Sequence, residues 1–159
     1  MRASVWLLTL SVVVSSGCGP IVDLSKGLQV LDVSTGWYDD GIVDGKNKIV
    51  PSISFRLKNV SDQRLGTLQV NALFRRLTEN DEWGSGFMTV VGSEGLPPAQ
   101  TTPTLTIRSK LGYTGTDPRQ VMLENKQFVD VKVQLFAKYA STQWKQIGEY
   151  PVTRQLILR

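Results

Sequence analysis

Lys48-Ile49-Val50-Pro51-Ser52-Ile53-Ser54-Phe55-Arg56-Leu57-Lys58 alternates along its whole length. Ile49, Pro51, Ile53, Phe55 and Leu57 occupy every second position, with Val50, Ser52, Ser54, Arg56 and Lys58 between them. Successive side chains of an extended strand point to opposite faces, so the Ile/Phe side turns to a core and the other side turns away. Pro51 has no N–H to give to a ladder, which places it at a sheet edge or a bulge.

Downstream, Asn59-Val60-Ser61-Asp62-Gln63-Arg64-Leu65-Gly66 is turn chemistry. Residues 67–77 form the next strand, with Leu68, Val70, Ala72 and Phe74 inward. A polar loop precedes a third arm at 83–91, and the Leu96-Pro97-Pro98 region is a crossing between sheets. A short strand follows at 104–109, then a turn or loop at Gly112-Tyr113-Thr114-Gly115. Asp117, Pro118 and Gln120 fit N-cap, N1 and N3 of one short helix, and Asn125 fits a left-handed exit from it. Residues 128–139 read as a long strand with Val129, Val131, Val133 and Leu135 inward, and 144–158 return in one or two pieces broken near Pro151. Upstream, 28–35 are a strand and 37–47 a turn-rich segment. Short strands between turns, with one small helix, indicate an all-β sandwich over residues 27–159.

Leu73-Phe74 before Trp83 echoes Leu135-Phe136 before Trp144. Parity puts Phe74 inward and Phe136 outward, so these are two independent hairpins rather than a repeat. Trp83 and Trp144 are expected to anchor them in the core.

The N-terminus decides where the domain works. Arg2 precedes a compact apolar run at 5–14, and Ser15-Ser16-Gly17-Cys18 supplies small residues before a cysteine. That order marks residues 1–17 as a secretory signal peptide. Ser16-Gly17-Cys18 resembles the lipobox of bacterial lipoproteins, which implies that Cys18 is lipidated and that 18–26 form a tether. Ser15 and Gly17 also suit an ordinary signal peptidase, and an uncleaved anchor is a third option that Pro20 disfavours. Within the tether, residues 21–24 could equally begin the fold. Gly19 after the cysteine resembles lipoproteins forwarded to an outer membrane in a diderm cell. The expected location is therefore the bacterial cell envelope.

With 159 residues the chain fits one domain after cleavage, and Cys18 as the one cysteine excludes an internal disulfide. Histidine is absent, which closes Ser-His-Asp and Cys-His catalysis and the His- and Cys-based zinc sites. No cofactor is implied. A net charge of +4 leans towards an anionic lipid, a glycan or another envelope protein rather than nucleic acid.

Residues 53–61, a polar turn, and 68–74 resemble the paired strands of small immunoglobulin-like domains in bacterial lipoproteins, including the FxLyD-type and late-embryogenesis-abundant type 2-like groups. The resemblance implies an immunoglobulin-like antiparallel sandwich that binds or scaffolds and is not an enzyme. The competing classes are a carboxylate-dependent envelope hydrolase and a subunit of a larger envelope assembly.

Candidate sites are few. Asp39, Asp40 and Asp44 could hold a hard cation, although Asp-Gly pairs are also what turns use. Glu79, Asp81 and Glu82 beside Trp83 could imitate a glycosidase site, but paired acids must oppose one another across a cleft. Arg56, Lys58, Arg75, Lys132 and Lys138 all lie opposite the apolar stripe of their strands, and together would form one basic surface for an anionic partner.

The parity of the quoted strand has a direct test. Phe55→Ala should cost about 3 to 5 kcal/mol as a large core side chain lost, while Ser54→Ala should be nearly silent. Equal shifts in urea denaturation would mean that the faces are inverted.

Overall fold

Strand β2 (Lys46–Asn59) lies inside a sheet with neighbours on both sides. The computed structural model describes residues 19–157; the expected signal peptide and Cys18 lie outside these. In chain order the remaining elements are α1 (Leu24–Gly27), β1 (Leu28–Val43), β3 (Leu68–Arg76), β4 (Gly84–Val91), β5 (Leu105–Arg108), β6 (Tyr113–Gly115), α2 (Arg119–Glu124), β7 (Val131–Lys138), β8 (Lys145–Pro151) and β9 (Leu156–Ile157). One sheet is ordered β5-β2-β1-β9, with β6 also on β2, and the other is ordered β4-β3-β7-β8. The pairings are antiparallel except β1 with β9. This is an all-β sandwich of two packed sheets.

The core forms where the inner faces meet. Trp37, Ile49, Ile53, Phe55 and Leu57 from one sheet, and Val70, Ala72, Phe74, Val133 and Leu135 from the other, are fully buried. The expected inward residues of β2, β3 and β7 are buried except Val129, which precedes β7 and is half-buried, and Val50 and Ser52, expected on the outer side of β2, are buried as well. Phe136 points outward while Phe74 is buried, as the two-hairpin reading requires.

Pro51 sits at neither a sheet edge nor a bulge. β5 pairs with Ser52 to Phe55 and β6 with Asn47 to Ile49, leaving Pro51 between their ends. Its carbonyl accepts from the Ser109 N–H at 2.9 Å, so its missing donor faces the side where one neighbouring strand stops and the other begins. Gly112 lets the chain pass there, because a Cβ would lie 2.0 Å from the Ile49 carbonyl oxygen.

Four local expectations need correction. The turn-rich segment at 37–47 is mostly strand, since β1 continues to Val43 through register shifts at Leu31/Ser34 and Asp39/Ile42. Asp32 (φ 52°) and Gly41 (φ 87°) lie in those shifts, and only Asp44-Gly45 (φ 50° and 72°) makes the two-residue turn. The presumed turn at 112–115 contains β6. Among the described residues there are two short helices rather than one: α2 starts after Pro118 without a side-chain cap, and Asn125 is extended (φ −62°, ψ 134°) rather than left-handed. The expected tether is also shorter, because α1 is capped by Asp23 and buries Leu24, so the fold begins at 21–24.

Asn59 is fully buried at the end of β2 and uses its whole amide. Its Nδ2 donates to the carbonyls of Gln63 (2.7 Å) and Leu96 (2.8 Å), and its Oδ1 accepts from the N–H (3.0 Å) and hydroxyl (2.7 Å) of Ser61. One side chain thus ties the β2–β3 turn to the crossing before β5. Asn59→Ala should cost about 1 to 3 kcal/mol in urea denaturation by orphaning these groups, whereas exposed Asp62→Ala should change stability by less than about 0.5 kcal/mol. Equal effects would remove Asn59 from this role.

Candidate functional site

The three candidate cation ligands do not converge. Asp39 and Asp40 are neighbours on β1 and each has its own basic partner. Asp39 Oδ1 lies 2.6 Å from Arg119 Nε and accepts from the Gly41 N–H, while Asp40 Oδ2 lies 2.9 Å from Lys48 Nζ. Asp44 is spent in the hairpin turn. Among the described residues no three His, Cys, Asp or Glu side chains gather as a metal group would require.

The acidic loop after β3 is no opposed pair across a groove. Glu79 pairs with Arg76 at 2.8 Å and lines a shallow cleft of about 360 Å³ with Arg75 and Lys132. Asp81 and Glu82 are exposed. Trp83 is no sugar platform, because its ring packs against Trp37 and Tyr113 with Arg76 over it at 5.4 Å. As a hairpin anchor, Trp83 is where the sequence puts it.

The single basic surface is not formed. Arg56 and Lys58 lie on β2, whereas Arg75, Lys132 and Lys138 lie on β3 and β7 of the opposite sheet. Sheets packed face to face turn their outer surfaces away from each other, so equal parity on different sheets means opposite sides of the molecule. Several of the charges are also engaged. Arg56 pairs with Asp32 at 3.2 Å, and Lys132 with Glu149 at 3.3 Å. Arg75 donates to Gln134 Oε1 and to the Asn80 carbonyl. Gln134 and Lys132 both donate to Glu149 and hold its carboxyl below the ordinary carboxylate range.

Two aromatic groupings carry more structure than these candidates. At the end of the sandwich holding the β1–β2 turn, Trp37 lies 5.5 Å from Tyr113 and 4.8 Å from Phe128. Arg154 sits 5.0 Å over Phe128 and is fixed by Asp130 at 2.6 Å. Tyr113, Met122 and Phe128 line a cleft of about 290 Å³ beside this cluster, together with polar Asp117, Asn125 and Gln127. Burial pushes the Tyr113 phenol above its usual range.

The second grouping lies on the outer face of β4-β3-β7-β8 and runs from the middle of β4 towards the other end. Trp144, expected in the core, is 40% exposed and meets Phe87, 59% exposed, edge to face at 6.3 Å. Lys138 Nζ lies 5.2 Å from the Trp144 ring. The cause is a register shift that skips Ile147 between Leu135↔Gly148 and Phe136↔Gln146, inverting parity along β8. Beside this hairpin the N-terminal segment packs down. The Val22 N–H donates to the Tyr139 hydroxyl at 2.6 Å, and Lys145 lies 3.9 Å from Asp23. A groove of about 410 Å³ runs between residues 21–24 and 141–145, with Ile21 80% exposed on its rim. Periodicity along a single strand carries no signal for a skipped residue, and the turn at 140–143 was the sole hint that Trp144 could leave the core.

No family model matches the chain, and no curated protein matches it. Among solved structures it is similar to the X-ray structure of Northeast Structural Genomics Consortium target SoR45. The two are 14% identical over 81% of this chain and 88% of that one, with a TM-score of 0.46.

Because Glu149 titrates lower in the folded chain than in an unfolded one, its interactions stabilise above the ordinary carboxylate range and are lost as pH falls through its depressed value. Glu149→Gln should therefore be less stable than wild type at pH 7, with a gap that narrows as the pH falls through the depressed range of the carboxyl. A gap that persists in acid would deny the charge its part.

Proposed function

We propose that this protein is a lipid-anchored, non-enzymatic lipoprotein of the bacterial cell envelope that serves as a binding or scaffold module. The observation that carries this reading is the shortness of the link between Cys18 and the fold. Val22 is already hydrogen-bonded to Tyr139, and Gln63 Nε2 donates to the Pro20 carbonyl at 2.8 Å. A lipid on Cys18 would hold the sandwich within about 14 Å of the acyl attachment, at about 3.5 Å per residue. Acyl burial contributes about 0.8 kcal/mol per CH₂, so more than one chain at Cys18 makes a firm anchor. Gly19 favours the outer membrane if the cell has one. The partner in this reading is an envelope protein, a glycan or anionic lipid.

The carboxylates support a binder over a hydrolase. A general acid needs a raised pKa, whereas Asp23, Glu94 and Glu149 are all displaced downwards by hydrogen bonds. Asp39, Asp40, Glu79 and Asp130 each face a cation.

A second reading, a subunit of a larger assembly, is favoured by β4. This strand closes one edge of its sheet, and Gly84-Ser85-Gly86-Phe87-Met88-Thr89-Val90-Val91 contains no charge to repel an added strand. Thr89→Lys should then remove the adducts that the wild type forms on crosslinking in its own envelope. Unchanged adducts would place the contact elsewhere.

For the anchor itself, mass spectrometry of the mature N-terminus should find acylated Cys18, and Cys18→Ser should abolish processing and membrane retention. An unmodified residue 18 in the wild type would sink the reading.

A further inference from the structure

We propose that the β7–β8 end of the sandwich, with the adjoining outer face of β4-β3-β7-β8, is a membrane-contact face, on which Trp144, Phe87 and Ile21 enter the headgroup region of a bilayer and Lys138 and Lys145 meet anionic phosphates. The proposal rests on the anchored reading and adds which surface the anchor brings down.

Position is the first argument. Cys18 precedes Gly19, so its Cα lies about 3.8 Å from that of Gly19. Pro20 is held by Gln63 in the β2–β3 turn, and Val22 by Tyr139 at the end of β7. The chain therefore runs towards Cys18 from the same end of the molecule that carries the β7–β8 turn. An acyl chain at Cys18 draws this end to the lipid and holds the opposite end, with the β1–β2 turn, away from it.

Chemistry is the second. Phe87 and Trp144 are the aromatic members of the exposed large apolar side chains among the described residues, and they touch each other. Trp144 reaches back over the outer face of β4-β3-β7-β8 to do so, since β8 and β4 are opposite edges of that sheet. Tryptophan favours the membrane interface, where its ring is buried and its N–H stays wet. Lys138 stands over the ring, and Lys145, on the other side of the chain from Trp144, reaches towards the N-terminal segment 3.9 Å from Asp23, so one ammonium lies at the aromatic pair and one beside Ile21; long lysine stems can lie along an apolar surface with their heads in the phosphates. Ile21 and Val60, 80% and 47% exposed, add apolar area where the chain leaves the fold. Of the carboxylates at this end, Asp23 accepts from the Ser25 N–H and lies 3.9 Å from Lys145, Glu94 accepts from the Gly92 N–H, and Asp62 is exposed in the β2–β3 turn.

The test uses the mature chain, residues 18–159, since among the described residues every buried apolar one lies between Leu24 and Val152. Cys18, its one cysteine, is coupled to a maleimide-bearing phospholipid in phosphatidylcholine vesicles with or without phosphatidylglycerol. Tryptophan emission is then read with lipids brominated near the headgroup. Trp37 is fully buried and Trp83 packs against the core, so quenching reports Trp144. The expected results are quenching in the wild type, its loss in Trp144→Phe, and its weakening in Phe87→Ser with Ile21→Ser. Phosphatidylglycerol should deepen the quenching and salt should reverse that gain. Absent quenching, or quenching that survives Trp144→Phe, overturns the contact face and gives it to a protein partner. Indifference to lipid charge and salt overturns the role of Lys138 and Lys145. Because the tether is chemical, a failed face leaves the anchored reading standing, and an unmodified Cys18 in the cell would fail that reading without changing the vesicle result.

Discussion

The packing of two sheets against each other holds this fold, with no disulfide to help it. β2 is the centre of that arrangement. Its inward residues Ile49, Ile53, Phe55 and Leu57 fill one side of the core, while β1 takes its ladder along one edge and β5 and β6 share the other. A proline inside such a strand is tolerable only where no donor is needed, and the break between β5 and β6 supplies that place at Pro51. The same break brings the 109–113 segment close over β2, where a glycine is required at position 112.

The two ends of the sandwich are closed by different chemistry. At the β7–β8 end the closure is polar: the buried Asn59 amide joins two loops, and α1 and Tyr139 hold the incoming chain. At the other end it is aromatic, with Trp37, Trp83, Tyr113 and Phe128 stacked beneath Arg76 and Arg154. A polar, fully hydrogen-bonded closure fixes geometry closely. That suits the proposed membrane contact, in which Trp144 and Phe87 would meet a surface only a few residues away along the chain.

Much of the fold was legible in the sequence because long stretches of β2, β3 and β7 keep an unbroken period of two. Ile53, Phe55, Val70, Phe74, Val133 and Leu135 are buried as that period dictates. It fails where a residue is skipped. The shifts near Asp32 and Gly41 hide the second half of β1 within what reads as turns, and the shift at Ile147 sends Trp144 outward. Parity also says nothing about which sheet a strand joins, which is why Arg56 and Arg75 share a pattern and face opposite ways. The aromatic pair at the β7–β8 end depends on both unknowns, strand register and sheet membership. Only three-dimensional pairing reveals it.

The central claim is that the domain sits on its membrane by the end from which Cys18 leaves. Hydrogen–deuterium exchange of the acylated protein, in vesicles and released from them, tests this over the whole chain at once. The account predicts added protection at residues 19–27 and 139–146, with no change at the β1–β2 turn around Asp44 and Gly45. Protection centred on that turn, or none at the β7–β8 end, would contradict it.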